Sequence, residues 1–197
     1  MVAIAVRRAV SEDEYFDLET EAEVRHEFCN GEVIEMPGAL PSHNIIAGNF
    51  FAILNFLFRR QSYQAYITDQ RLWIPETNRY VYPDVMVIQE PLELKPGRAD
   101  TVMNPVLVAE VLSQSTRGND LGDKFTAYRT IPSLMEYLTI EQDMARVNHW
   151  VRSPEGWLLR DVVGLDGVLM LGAIAIDDEP VEIQLADLYN KVDLEAV

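Results

Sequence analysis

Residues 106–112 read Val106-Leu107-Val108-Ala109-Glu110-Val111-Leu112. All but one are apolar, and they fall on both faces a strand would have. Such a run belongs in the middle of a sheet covered on each side, the setting of an α/β or α+β fold. Glu110 breaks the run. An ionised carboxylate in those surroundings is costly unless it is paired or bound to a metal.

Upstream, Val81-Tyr82-Pro83-Asp84-Val85-Met86-Val87-Ile88 repeats the pattern, with Asp84 as its acid. Two neighbouring strands, each with one carboxylate, can aim both at one point. Like charges that close raise a pKa unless a cation sits between them. Mg²⁺ or Mn²⁺ is the natural candidate, because Mg²⁺ prefers a few carboxylates, water and phosphate oxygens. Singly, each acid is equally well explained as a strand end or an arginine partner. Together they point to a metal site.

Downstream, the spacing predicts a helix over about 120–128, halted near Ile131-Pro132. At 100° per residue, Leu121, Phe125 and Tyr128 form its buried stripe, and Lys124 falls on the stripe's edge. An inward lysine needs an anionic partner; the alternative is a packed stem with its ammonium in water. Asp120 and Asp123 read as first-turn acids favoured by the helix dipole. Arg117 and Gly118 precede them in a loop that a phosphate could approach.

The remaining elements follow from local signals. Ser11 and Glu14 form a capping box for a helix over about 12–19. Asn30-Gly31 marks a hairpin between 25–29 and 32–36. Ser42 is placed to cap a helix reaching about 61, and strands are expected over 64–74, 81–89 and 135–141. Residues 147–152 and 157–163 flank Ser-Pro-Glu-Gly as a second hairpin, and 185–192 reads as a short helix. Glu35, on the first hairpin, is a candidate further metal ligand or an ordinary strand-end acid. His43, at the start of the long helix, is a candidate to orient water or contact phosphate, or a surface histidine near a cap. His26 and His149 lack ligand spacing, and with Cys29 the only cysteine no zinc cluster is available.

The 197 residues suit a single domain, with a core over about 11–142 and a C-terminal antiparallel extension over 143–197. No apolar run is long enough for a membrane span, and the first residues do not read as a secretory signal. A lone thiol fits a reducing compartment, so a cytoplasmic location is expected. The net charge of −16 weighs against an unaided grip on nucleic acid.

Pro83-Asp84, then Glu110-Val111-Leu112, then Lys124 within Asp-Lys-Phe-Thr-Ala-Tyr-Arg resemble the PD-(D/E)xK nuclease pattern. More narrowly, the chain resembles the Uma-type restriction endonuclease family of bacteria, expanded in cyanobacteria. The matching stretches are Arg25-His26-Glu27-Phe28-Cys29-Asn30-Gly31-Glu32, His43-Asn44, Arg71-Leu72-Trp73-Ile74-Pro75, Tyr82-Pro83-Asp84-Val85, Glu110-Val111-Leu112-Ser113 and Ile131-Pro132-Ser133-Leu134-Met135-Glu136-Tyr137. The resemblance implies a restriction-endonuclease-like core, a mixed sheet flanked by helices, in which Asp84 and Glu110 bind the metal and DNA is the substrate. It also implies a homodimer or higher homo-oligomer. The superfamily's lysine should stand two residues after Glu110, where this chain has Leu112. The resemblance implies that Lys124 has taken its place. The competing expectations are a nuclease-fold module that binds nucleic acid or protein without turnover, and a structural oligomer built on the C-terminal hairpin.

Overall fold

The structure, a computed structural model, describes residues 9–36, 38–113 and 117–194. The Ser11–Glu14 capping box forms as expected and starts helix α1 (Glu12–Glu21). Asn30 and Gly31, at φ 47° and 96°, turn strand β1 (His26–Cys29) into β2 (Glu32–Glu35). Two residues at positive φ are what a tight hairpin loop demands. Helix α2 (Pro41–Leu57) has Leu40 at its N-cap, so Ser42 lies inside the first turn rather than capping it. Pro41 opens the helix instead, since its fixed φ and missing N–H suit the first position. The helix stops at Leu57, short of residue 61.

The strands expected over 64–74 and 81–89 each break in two. The pieces are β3 (Tyr63–Ile67) and β4 (Arg71–Ile74), then β5 (Arg79–Val81) and β6 (Val85–Gln89). Thr68 takes φ 48° at the first break, a conformation that cannot continue a pleat. Pro83 stands at the second and has no N–H for a ladder. At both breaks the chain crosses from one sheet to another.

After β7 (Thr101–Val102) comes β8 (Pro105–Leu112), buried along its whole length as its sequence requires. A crossover follows, built from α3 (Arg117–Asn119), a π-helical turn (Asp120–Lys124) and α4 (Phe125–Tyr128). It leads to β9 (Glu136–Glu141), parallel to β8. The expected C-terminal hairpin is β10 (Arg146–Ser153) and β11 (Gly156–Val163). A further hairpin, β12 (Val168–Ile176) and β13 (Glu179–Gln184), was not legible in the sequence, and α5 (Leu185–Leu188) is shorter than expected.

The result is an α+β fold with two mixed sheets. One runs β11-β10-β9-β8-β6-β3 and the other β2-β1-β5-β4-β7, with β12 and β13 as a separate pair. Side chains alternate across the six-stranded sheet. Leu107, Ala109 and Val111 join Val85 and Val87 in the core under α2 and α5. Val108 joins Met86, Tyr128 and Tyr137 on the opposite face, beneath the crossover. The same alternation aims Glu110 and Asp84 at the crossover face, and Val85 pairs with Ala109, which brings the two acids abreast. No helix among the described residues is long and apolar enough to cross a membrane.

Candidate active site

Asp84 sits where the chain leaves one sheet and enters the other, at the mouth of β6 rather than within a strand. Its Oδ2 accepts a hydrogen bond from the Val111 amide at 2.8 Å, and its own amide faces Glu110 Oε2 at 3.3 Å. The two acids are thus cross-braced through the backbones of adjacent strands. Tyr128 donates its hydroxyl to Glu110 Oε1 at 2.7 Å. His43, from the first turn of α2, places Nε2 3.2 Å from Asp84 Oδ2. Asp84, Glu110, His43 and Lys124 all line one cleft of about 180 Å³.

Lys124 arrives from the π turn and is buried. Its Nζ lies 2.8 Å from Glu27 Oε1, 3.3 Å from Glu110 Oε1 and 3.4 Å from Asp120 Oδ1. A regular α-helix puts Lys124 on the edge of an apolar stripe; in the π turn it lies on the buried face. Asp120, Lys124, Ala127 and Tyr128 are buried there, while Leu121 and Phe125 are half-covered. Asp120 is therefore not a solvated first-turn acid. Tyr137 secures this turn by donating to the Asp120 carbonyl at 2.8 Å and stacking on Phe125. Such turns are rare and concentrate at functional sites.

Two acids of the cluster, Glu27 and Asp120, escaped the sequence reading. Glu27 belongs to the first hairpin, from which Glu35 was the candidate. Glu27 pairs across the hairpin with Ile34, and Glu35 with His26, so the two acids point to opposite faces. Glu35 is exposed and does not line the cleft. Glu27 is buried because β1 is flanked by β2 and β5, a long-range pairing that local periodicity does not reveal. Asp120 carried a local signal, its spacing of four residues before Lys124.

The charges do not balance without help. Glu27, Asp84, Glu110 and Asp120 face Lys124 and His43. Burial, opposed by Lys124 but reinforced by Asp84 and Asp120, pushes the Glu110 carboxyl up to about 8. Burial works against a charged Lys124, yet Glu110, Glu27 and Asp120 hold its pKa above the ordinary lysine range. Burial also lowers His43, but the hydrogen bond to Asp84 and its charge more than offset this, and the net shift is upward. Among the described residues no three His, Cys, Asp or Glu side chains are grouped to hold a metal by themselves. Mg²⁺ binds through one or two carboxylates and keeps several waters, and Asp84 and Glu110, both lining the cleft, offer donors of that kind.

Residues 12–175 match the family Uma2, described as "Putative restriction endonuclease". The chain belongs to the Uma2 family. Its relatives include two proteins of Synechocystis sp. To sll1609 it is 39% identical over 165 residues, spanning 83% of this chain and 93% of the other. To slr1290 it is 28% identical over 151 residues, spanning 76% and 78%. The fold of this Uma2 chain is also that of a crystal structure of "a putative nuclease belonging to DUF820" from Anabaena variabilis. The TM-score is 0.70 at 16% identity, covering 90% of this chain and 96% of that one. At that identity the likeness bears on the fold alone.

Proposed function

We propose that this Uma2 protein is a metal-dependent endonuclease that hydrolyses DNA phosphodiester bonds. One observation carries the reading: Asp84, Glu110 and Lys124, from three separate elements, converge at one cleft. Asp84 and Glu110 would hold Mg²⁺ or Mn²⁺. Such an ion, when bound, supplies Lewis acidity to the scissile phosphate and lowers the pKa of a bound water. The protein's own groups do the rest. The Val111 amide and His43 fix the Asp84 carboxylate, and Tyr128 fixes Glu110. Lys124, held protonated by its carboxylates, acts as a fixed cation rather than a base. It orients the attacking water or stabilises negative charge developing on the phosphate.

The direct test is cleavage of DNA in Mg²⁺ or Mn²⁺ by wild type, Asp84→Ala and Lys124→Ala. Loss of cleavage in both variants is expected; equal activity in all three removes the assignment. A second reading, a DNA-binding module without turnover, draws support from the three carboxylates that engage Lys124. It requires metal uptake, read by calorimetry, with no cleavage by wild type.

A further inference from the structure

The net charge of −16 leaves no general attraction for a polyanion, so each phosphate contact has to be made locally. Two half-exposed arginines each adjoin residues that line the cleft. The carbonyl of Arg25 accepts from the amide of Met36, which lines the cleft, at 2.9 Å. The Arg25 guanidinium lies over the ring of Tyr82, another lining residue, 5.9 Å from its centre. Tyr82 also borders a neighbouring polar cleft that contains Arg25, Arg71 and Arg98. Arg117 donates its amide to the carbonyl of Ser113 at 3.0 Å, and Ser113 lines the cleft near Asp120 and Lys124.

Each guanidinium has a buried carboxylate near it and opens to solvent. Arg117 is gripped by both oxygens of Glu141; its side chain is 49% exposed and that of Glu141 only 4%. Arg25 has Glu19 beneath it at 4.0 Å, with side-chain exposures of 44% and 1%. Its other partner is Asp69 at 3.5 Å, itself 77% exposed, a surface pair that a phosphate displaces at little cost. A guanidinium has five donors, so a carboxylate on one side leaves others for a second anion. Arg71 and Arg98, by contrast, are committed to Asp100.

We infer that Arg25 and Arg117 bind backbone phosphates of DNA neighbouring the scissile one, so that the strand crosses the metal cleft between them. The inference rests on the nuclease reading and adds to it a path for the substrate. Binding of a fluorescent DNA duplex to the full chain tests it, by anisotropy across a salt series with Ca²⁺ in place of Mg²⁺ to prevent turnover. Arg25→Gln and Arg117→Gln should each reduce the salt slope by about 0.9 and weaken binding roughly three- to tenfold. Arg60→Gln, in the turn that follows α2, should leave the slope unchanged. Because Arg117→Gln strands the buried Glu141, the double variant Arg117→Gln/Glu141→Gln is measured beside it and should show the same loss of slope. Wild-type binding with unaltered slopes in the Arg25 and Arg117 variants overturns the proposed path alone. A wild-type chain that binds no duplex overturns both the path and the nuclease reading.

Discussion

Replacing Lys124 with Met keeps the stem and removes the charge, so it isolates what the ammonium does. At an effective dielectric of about 20, a unit charge 2.8–3.4 Å from a carboxylate interacts with roughly 5–6 kcal/mol per contact before desolvation. Burying the charges cancels much of that, and removing one member of a buried cluster costs about 3–5 kcal/mol net. For a chain of 197 residues, where each kcal/mol moves the midpoint by about 2–4 °C, Lys124→Met should unfold ~6–20 °C below wild type.

Thermal unfolding followed by circular dichroism at pH 8 in EDTA reads this directly. The deficit should shrink at pH 5, well below the raised Glu110 titration, where that carboxyl is already protonated, and should shrink again on adding Mg²⁺, which restores positive charge beside Glu110. DNA cleavage should be lost even where stability is recovered. A variant as stable as wild type in EDTA would show that Lys124 is not the buried counter-charge, and one that still cleaves DNA that it is not the fixed cation of the reaction.

Other outcomes follow from the same geometry. In EDTA the folded Glu110 titrates near 8 against an ordinary 4.5, so between those values the folded chain holds a proton the unfolded chain has released. Stability should therefore fall as pH rises through that window, and Glu110→Gln should flatten the midpoint-against-pH curve; an unchanged curve refutes the assignment. Asp84→Asn should lower Mg²⁺ affinity at least ~10-fold by calorimetry without lowering the midpoint in EDTA, because it removes one of the crowded negative charges. His43→Ala should weaken metal binding by roughly 10–100-fold, the usual effect of losing a group that orients a ligand; wild-type affinity would make His43 a bystander. Gly31→Ala should cost more than about 1 kcal/mol in urea unfolding, since φ is 96° and the new Cβ would lie 2.8 Å from Ala9 Cβ.

The parts of the site legible in the sequence are those governed by local pattern. β8 could be placed because both its faces are apolar, and Glu110 stood out against them. Asp84 was legible as chemistry but not as position: Pro83 ends one strand before it, and the acid sits at a crossing between sheets. Lys124 was found by a helical wheel whose geometry the π turn then altered, since backbone hydrogen bonding of that kind leaves no simple periodic trace. Glu27 was hidden because its burial depends on β1 pairing with β5, where Phe28 meets Tyr80, residues far apart in the chain. The β12–β13 hairpin turns on Asp177 and Asp178 at φ 53° and 67°. Two aspartates adopt that conformation less readily than Asn-Gly, so the turn carries a weaker signal.

The acidity that weighs against a nucleic-acid enzyme takes on a different meaning at this site. A basic cleft would attract DNA directly but would repel the divalent ion that phosphodiester hydrolysis uses. Here three carboxylates, Glu27, Glu110 and Asp120, engage one lysine, and burial reinforced by Asp84 and Asp120 holds the Glu110 carboxyl above the ordinary carboxylate range. On the nuclease reading, Asp84 and Glu110 would hold Mg²⁺, which would supply the positive charge a scissile phosphate needs. Neighbouring phosphates then require separate cations set back from the metal and insulated from its ligands. Arg25 and Arg117 would meet that requirement: Arg117 is held by the buried Glu141, and Arg25 lies 3.5 Å from the exposed Asp69 and 4.0 Å from the buried Glu19.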